Sequence, residues 1–244
     1  FVVVVDAESL PQRNYYLYVC AESDDVVEKI RFGPAGFEII KSISVGAFPA
    51  ETEGPHGISM SPDGRHWFLS IAHGMPFGSI HKFDTEEDEW LADVTVGMFP
   101  ATMSISSATG LLYVVNFNLH GDALPSSISI VETSTMIEVA RVDVGIMPHG
   151  ARINDTGKKL YSVNMMGDSL VEVDTFKFEV SRTLSLLKDD SPDVFLERMS
   201  HKVKPTWATA PTAKGKLYVA GNGDHNIYEI DVNSWKVVRT LVVG

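Results

Sequence analysis

The chain has 244 residues and carries 32 acidic against 20 basic side chains, a formal charge of −12. That balance excludes a general nucleic-acid binder, which needs a basic footprint for phosphates, and a protein that docks on anionic lipid surfaces. No apolar run approaches the ~20 residues of a membrane helix, and a lone Cys20 excludes an internal disulfide framework.

In chain order, residues 1–5 read as a strand. Residues 15–46 hold three short strands: Tyr-Val-Cys at 18–20, then 26–32 and 39–46. Four longer units follow, and they align with one another. The first has Gly-Pro-His-Gly at 54–57, Ser-Pro-Asp-Gly at 61–64 and Trp-Phe-Leu-Ser at 67–70. The second has Ala-Thr-Met at 101–103, Ala-Thr-Gly at 108–110 and Tyr-Val-Val-Asn at 113–116. The third has Pro-His-Gly at 148–150, Asp-Thr-Gly at 155–157 and Tyr-Ser-Val-Asn at 161–164. The fourth has Pro-Thr-Trp at 205–207, Ala-Lys-Gly at 213–215 and Tyr-Val-Ala-Gly at 218–221. His56, Thr102 and His149 each stand eight residues before their turn glycine, so they align at one place.

The second halves repeat as well. Short alternating strands end in a carboxylate at Asp84, Glu132, Asp174 and Asp231, and closing strands end in Val-Gly at 45–46, 96–97, 144–145 and 243–244. Each unit therefore reads as four antiparallel strands with a glycine in the first turn, where φ > 0 is required. Four strands in a period of ~45 residues is the pattern of a β-propeller blade. Helical periodicity is weak, and the best candidate is one short stretch at 192–199 within the connection 186–204.

These units resemble the YVTN-type (YncE-like) β-propeller repeat: Gly-x-x-Pro, Ser-Pro-Asp-Gly, Tyr-Val-x-Asn, Ser-Val-x-Asp and a closing Val-Gly. Ala21, Ser70 and Gly221 stand where Asn116 and Asn164 fit the pattern, and the unit beginning at Pro148 ends without Val-Gly. The resemblance implies an all-β propeller in a single domain. Its blades run approximately over 1–49, 50–97, 98–145, 146–187 and 204–244, with an insertion loop over 186–204. It also implies seven blades in the ring. Five are counted, the first without a clear inner-strand signature, so the expectation is part of a larger ring.

Propeller topology puts the loop before each inner strand and the loop between second and third strands on one face. His56, His73, His120, His149, His201 and His225 map there, as do Met147, Met165, Met166 and Met199, whereas His66 and His81 do not. Imidazole and thioether donors suit copper, and imidazole suits other transition metals. A metal site would draw on His56, His73, His120 and His149. The competing reading is that Pro-His-Gly is a turn whose imidazole caps backbone groups. His56 and His149 belong to units separated by a blade, and this counts against a shared ion, whose ligand nitrogens lie within about 4 Å of each other. The aspartates at 63, 84, 174 and 231 read as turn and strand-end residues. The acidic run 86–89 reads as a solvated tip.

The leading expectation is a binding or scaffold subunit, not an enzyme and with no cofactor. The resemblance implies a periplasmic or extracellular location. Its ligand or partner face would carry His56, His73, His120, His149, Asn116, Asn164, His201, Trp207 and His225. The partner would be another protein, such as a membrane or electron-transfer complex, or a small ligand. The alternative is a copper-type oxidoreductase or electron-transfer accessory subunit with its site at the channel mouth.

Overall fold

The computed structural model describes residues 10–46, 51–73, 77–187 and 203–243. The expectations for residues 1–5, the 192–199 stretch, Met199, His201 and Gly244 lie outside them. The described residues are all-β apart from one turn of 3₁₀ helix, Glu22–Asp24. They form five antiparallel sheets in chain order. The first holds β1 (Tyr15–Ala21), β2 (Val26–Gly33) and β3 (Gly36–Ser44). The second holds β4 (Pro55–Met60), β5 (His66–Ile71), β6 (Ser79–Asp84) and β7 (Trp90–Thr95). The third holds β8 (Pro100–Ile105), β9 (Leu111–Asn116), β10 (Pro125–Glu132) and β11 (Ile137–Ile146). The fourth holds β12 (Pro148–Ile153), β13 (Lys159–Asn164), β14 (Ser169–Asp174) and β15 (Glu179–Ser185). The fifth holds β16 (Pro205–Ala208), β17 (Lys216–Gly221), β18 (Asn226–Asp231) and β19 (Lys236–Val242).

Each sheet is a simple meander, and the innermost strands stand side by side: β4 by β8, β8 by β12, β12 by β16. These are propeller blades. Burial follows strand position. In the third and fourth blades the second and third strands are buried on both faces because a blade covers either side, so β9 and β13 are almost wholly buried. The fourth strands alternate exposed and half-buried residues, as in β15. The core is a series of separate layers between blades. Val27, Trp67 and Phe83 join the first two blades, and Phe68, Met103 and Leu112 the next pair. Tyr113, Val144 and Leu160 join the third and fourth, and Tyr161, Leu170 and Leu217 the last pair. Burying such side chains contributes roughly 1.5–3 kcal/mol each.

Strand register corrects the repeat alignment in the second blade. His66 pairs with Asp84 as Lys159 pairs with Asp174 and Lys216 with Asp231. Phe68 therefore stands where the other blades have Tyr113, Tyr161 and Tyr218, and Ile71, not Ser70, stands in the place of Asn116 and Asn164. The prolines of the four inner strands pair with Ile71, Asn116, Asn164 and Gly221. By that count, Ala101 is the equivalent of His56 and His149, and Thr102 is one place further along.

The residue before each of these prolines has positive φ: Gly54 (67°), Phe99 (51°), Met147 (51°) and Lys204 (44°). Three of the four are not glycine, so the turn is imposed by its surroundings. Backbone bonds impose it. Ala72 N–H donates to the Gly54 carbonyl, Phe117 to Phe99, Met165 to Met147 and Asn222 to Lys204. The loop before each inner strand is thus tied to the loop after the second strand, and both lie on one face, here the leading face. Two aspartates add a staple between blades. Asp25 accepts the Glu53 and Gly54 N–H groups, and Asp168 accepts those of Val203 and Lys204.

The opposite face carries the Asp-Gly turns and the turns between third and fourth strands. One part of it differs from expectation. Glu86, Glu87 and Glu89 are exposed, but Asp88 is 6 % exposed. It accepts the Tyr18 hydroxyl at 2.5 Å and the Lys29 ammonium at 2.8 Å, with Lys41 at 3.5 Å. Tyr18 stacks on Trp67, ring centroids 4.9 Å apart. Asp88 therefore clamps the second blade to the first rather than sitting at a solvated tip.

Candidate functional site

The leading face gathers imidazoles from three successive blades. Phe99 stands at the hub, buried and held with positive φ by the turn before β8. Its ring has edge contacts with His56 (5.6 Å between centroids), His73 (5.0 Å), His120 (5.4 Å) and Phe117 (5.7 Å). His149 packs edge-on to Phe117 at 4.7 Å and lies 6.4 Å from His56 and 6.1 Å from Trp207. His73 and His120 are 5.6 Å apart. Ala72 and Ala101 fill the space beneath, and Met98, Met147 and Met165 pack against the cluster. The four histidines named from the sequence as a metal set are thus one aromatic cluster, organised by a phenylalanine that the repeat does not mark.

The inner-strand histidines are pinned from below. His149 Nδ1 lies 2.8 Å from the Thr206 carbonyl. A carbonyl only accepts, so Nδ1 carries the proton and Nε2 keeps a lone pair. His56 also reaches the backbone of Ala101, whose carbonyl accepts the Ser70 hydroxyl at 3.1 Å. Between them, Thr102 Oγ1 donates to the His149 carbonyl at 2.5 Å. The second, third and fourth blades therefore each offer a side-chain donor to the carbonyl just after the proline of the next blade, with the Ser70 hydroxyl beside His56 in the second. Histidine supplies it from one place in the repeat and threonine from the adjacent place. The glycine after each histidine is required by the same approach. A Cβ on Gly57 would run into the Ala101 carbonyl, and one on Gly150 would stand 2.6 Å from the Thr206 oxygen. The capping role of Pro-His-Gly is real, and it uses one ring nitrogen of each imidazole.

Burial lowers the pKa of both His56 and His149, more than their carbonyl partners raise it. Both rings are therefore mainly neutral at pH 7; repulsion from His73 adds to the effect at His56, where Glu22 opposes it, and repulsion from His56 adds to it at His149. His73 differs: its Nε2 donates to Glu22 Oε1 at 3.1 Å, from the 3₁₀ turn of the first blade. His120 is exposed.

The remaining candidates separate from the cluster. Asn116 is 1 % exposed. Its Oδ1 accepts Gly97 N–H at 3.0 Å, and its Nδ2 donates to Ser127 and Ser129. Asn164 is equally buried and donates to the Val144 carbonyl and to Ser169. Both amides turn into the fold and tie the closing Val-Gly of one blade to the second strand of the next. His225 is exposed at a positive-φ turn of the fifth blade, in the place that Asp25 and Asp168 hold in theirs. Trp207 is 38 % exposed on the inner strand of the fifth blade, with the Arg152 guanidinium over its ring.

Imidazole donors fit copper, zinc or iron in kind. With metal–nitrogen bonds of ~2.0–2.1 Å, two imidazoles on one ion hold their centroids within roughly 6 Å. The His73–His120 pair meets that distance, and the His56–His149 pair slightly exceeds it. Among the described residues, no group of three or more His, Cys, Asp or Glu side chains is arranged to hold an ion. Cys20 contributes nothing there, since burial pushes its thiol up to about 12.

No family model matches the chain, and no curated protein matches it. Solved structures do. A chain of Kuenenia stuttgartiensis hydrazine synthase is similar at 24 % identity and a TM-score of 0.64, covering 82 % of this chain and 52 % of that one. A protein of unknown function from Desulfotomaculum acetoxidans is similar at 9 % identity and a TM-score of 0.69, covering 93 % and 68 %. U3-55K is similar at 14 % identity and a TM-score of 0.61, covering 79 % and 53 %. At these identities the likeness is one of fold. The chain spans about half the length of the hydrazine synthase chain that it matches.

Proposed function

We propose that the chain is an extracytoplasmic, non-enzymatic binding or scaffold subunit of YVTN type that docks a protein partner on the imidazole cluster of its leading face. One observation carries the reading: His56, His73 and His120 converge around Phe99, and His149 joins them through Phe117 and His56, with His56 and His149 pinned and neutral with an accepting nitrogen left over. A neutral, aromatic, hydrogen-bond-accepting surface on rigid strands suits an apolar partner patch with a few donors. The extracytoplasmic placement rests on the repeat resemblance. A subunit of a membrane or electron-transfer complex is the partner class that placement favours.

The test is affinity capture from the native source with the full-length protein, followed by a titration with the purified partner. His120→Ala with His149→Ala should weaken binding by about tenfold or more, as loss of an interface centre does. Unchanged affinity in the folded double variant refutes the reading.

A second reading keeps the copper-type electron-transfer site. It is favoured by His149, whose Nδ1–H donates to a carbonyl, the arrangement that orients a metal-binding imidazole. Elemental analysis of the tag-free protein decides it. Stoichiometric copper, zinc or iron that is lost in His56→Ala favours the metal, and a metal-free protein that still binds its partner favours the scaffold.

A further inference from the structure

The four innermost strands contain one formally charged side chain, Arg152 on β12. The other described arginines each pair with a carboxylate, except Arg13, which is exposed. Arg152 is half-buried and pairs with none of the described carboxylates. One Nη1 bond reaches the carbonyl of its own neighbour Ala151 at 2.7 Å. Its guanidinium carbon stands 4.5 Å from the centroid of the Trp207 ring on the adjacent inner strand. A guanidinium has five N–H donors, and stacking on an aromatic face leaves its edge donors free in the ring plane. Burial also draws its pKa down, the mark of a cation removed from water without a counter-ion. This happens in a chain that carries twelve more carboxylates than cations. None of the described carboxylates stands beside Arg152.

We infer that the inner-strand wall binds a small oxyanion, a carboxylate or a phosphate, through the free edge of the Arg152 guanidinium, with Trp207 as its aromatic floor. Bidentate hydrogen bonding from a planar fork suits both anions. The site lies on the inner-strand wall, bordering the imidazole cluster at the His149–Trp207 contact; the inference goes beyond the proposed docking, and Arg152→Gln tests it separately from the histidine variants.

Two probes test it on the full chain, benzoate and inorganic phosphate, each titrated at millimolar concentration by calorimetry and tryptophan fluorescence. Saturable binding of either is expected. It should weaken about tenfold or more in Arg152→Gln and less in Arg152→Lys, which keeps the charge but loses the fork. Preference for benzoate assigns the site to aromatic carboxylates, and preference for phosphate assigns it to phosphoryl groups. In the unsubstituted chain, bound anion should also protect Arg152 from phenylglyoxal. This readout survives a variant that fails to fold. No saturable binding of either probe, binding unchanged in Arg152→Gln, or no protection of Arg152 overturns the inference.

Discussion

On the turn face, each strand-end carboxylate is consumed by the backbone that it terminates. Asp84 accepts the N–H groups of Glu86, Glu87 and Glu89. Glu132 accepts those of Ser134 and Thr135. Asp174 and Asp231 each accept two more and an ammonium, from Lys159 and Lys216. On the leading face, His56 and His149 give one ring nitrogen to the fold and keep the other. The contrast shows how a repeat divides its work. A carboxylate that accepts three or four bonds is a closed structural part, whereas an imidazole can be fixed at one nitrogen and remain chemically available at the other.

Substitutions should separate the faces, with the largest losses where the turn face also joins blades. Asp88→Ala leaves Lys29 and the Tyr18 hydroxyl without their partner and should cost about 3 kcal/mol in urea denaturation. It should leave partner binding on the leading face unchanged. A cost below that of an exposed carboxylate would show that Asp88 is not a clamp.

Two glycine substitutions sharpen the same contrast. Gly57→Ala drives a Cβ into the Ala101 backbone of the next blade and should cost ~2–3 kcal/mol by overpacking. Gly64 has positive φ and nothing within 4 Å of a built Cβ, so Gly64→Ala should cost only about 1 kcal/mol, the strain of the left-handed backbone. Equal melting temperatures for the two variants would contradict the close approach of β4 to β8.

Acid should weaken the turn face most. The Thr135 hydroxyl holds Glu132 down to about 2, and the Lys159 ammonium holds Asp174 down to about 2. Lys216 holds Asp231 still lower. These carboxylates bind protons more readily in the unfolded chain. Their stabilisation is complete above about pH 4 and is lost as pH falls towards 2. The stability–pH curve of Asp174→Asn should be flatter across that range, and an unaltered slope would refute the assignment.

The smallest effect belongs to the leading face. His56 and His149 have folded pKa values lowered by burial, so the unfolded chain takes up protons first as pH drops below about 6.5. Stability should decline gently from there. The decline should be shallower in the His56→Gln, His149→Gln double variant, as followed by thermal melts from pH 7 to pH 5.

Much of this was legible in the chain itself because blades repeat. The turn glycines, the strand-end carboxylates and the sharing of a face by His56, His73, His120 and His149 all follow from period and alternation. The register of β5 was not legible. Trp67 and Phe68 are both large and apolar, and only the pairing of His66 with Asp84 shows which of them takes the tyrosine place. The burial of Asp88 is hidden for a related reason. In sequence it sits among three exposed glutamates, and its partners Tyr18 and Lys29 are 70 and 59 residues away.

Local chemistry in the sequence determined the all-β fold, the blade period and the side of each loop, because strand alternation and turn φ requirements act over a few residues. Tertiary structure decided what the exposed groups meet. It made Phe99 the hub of the imidazoles and gave Thr206 to His149. It buried Asn116 and Asn164 as ties between blades, and it set Arg152 on Trp207 with no described carboxylate beside it. Those contacts join blades about 45 residues apart. Their distances depend on how neighbouring sheets pack, and no local pattern encodes that.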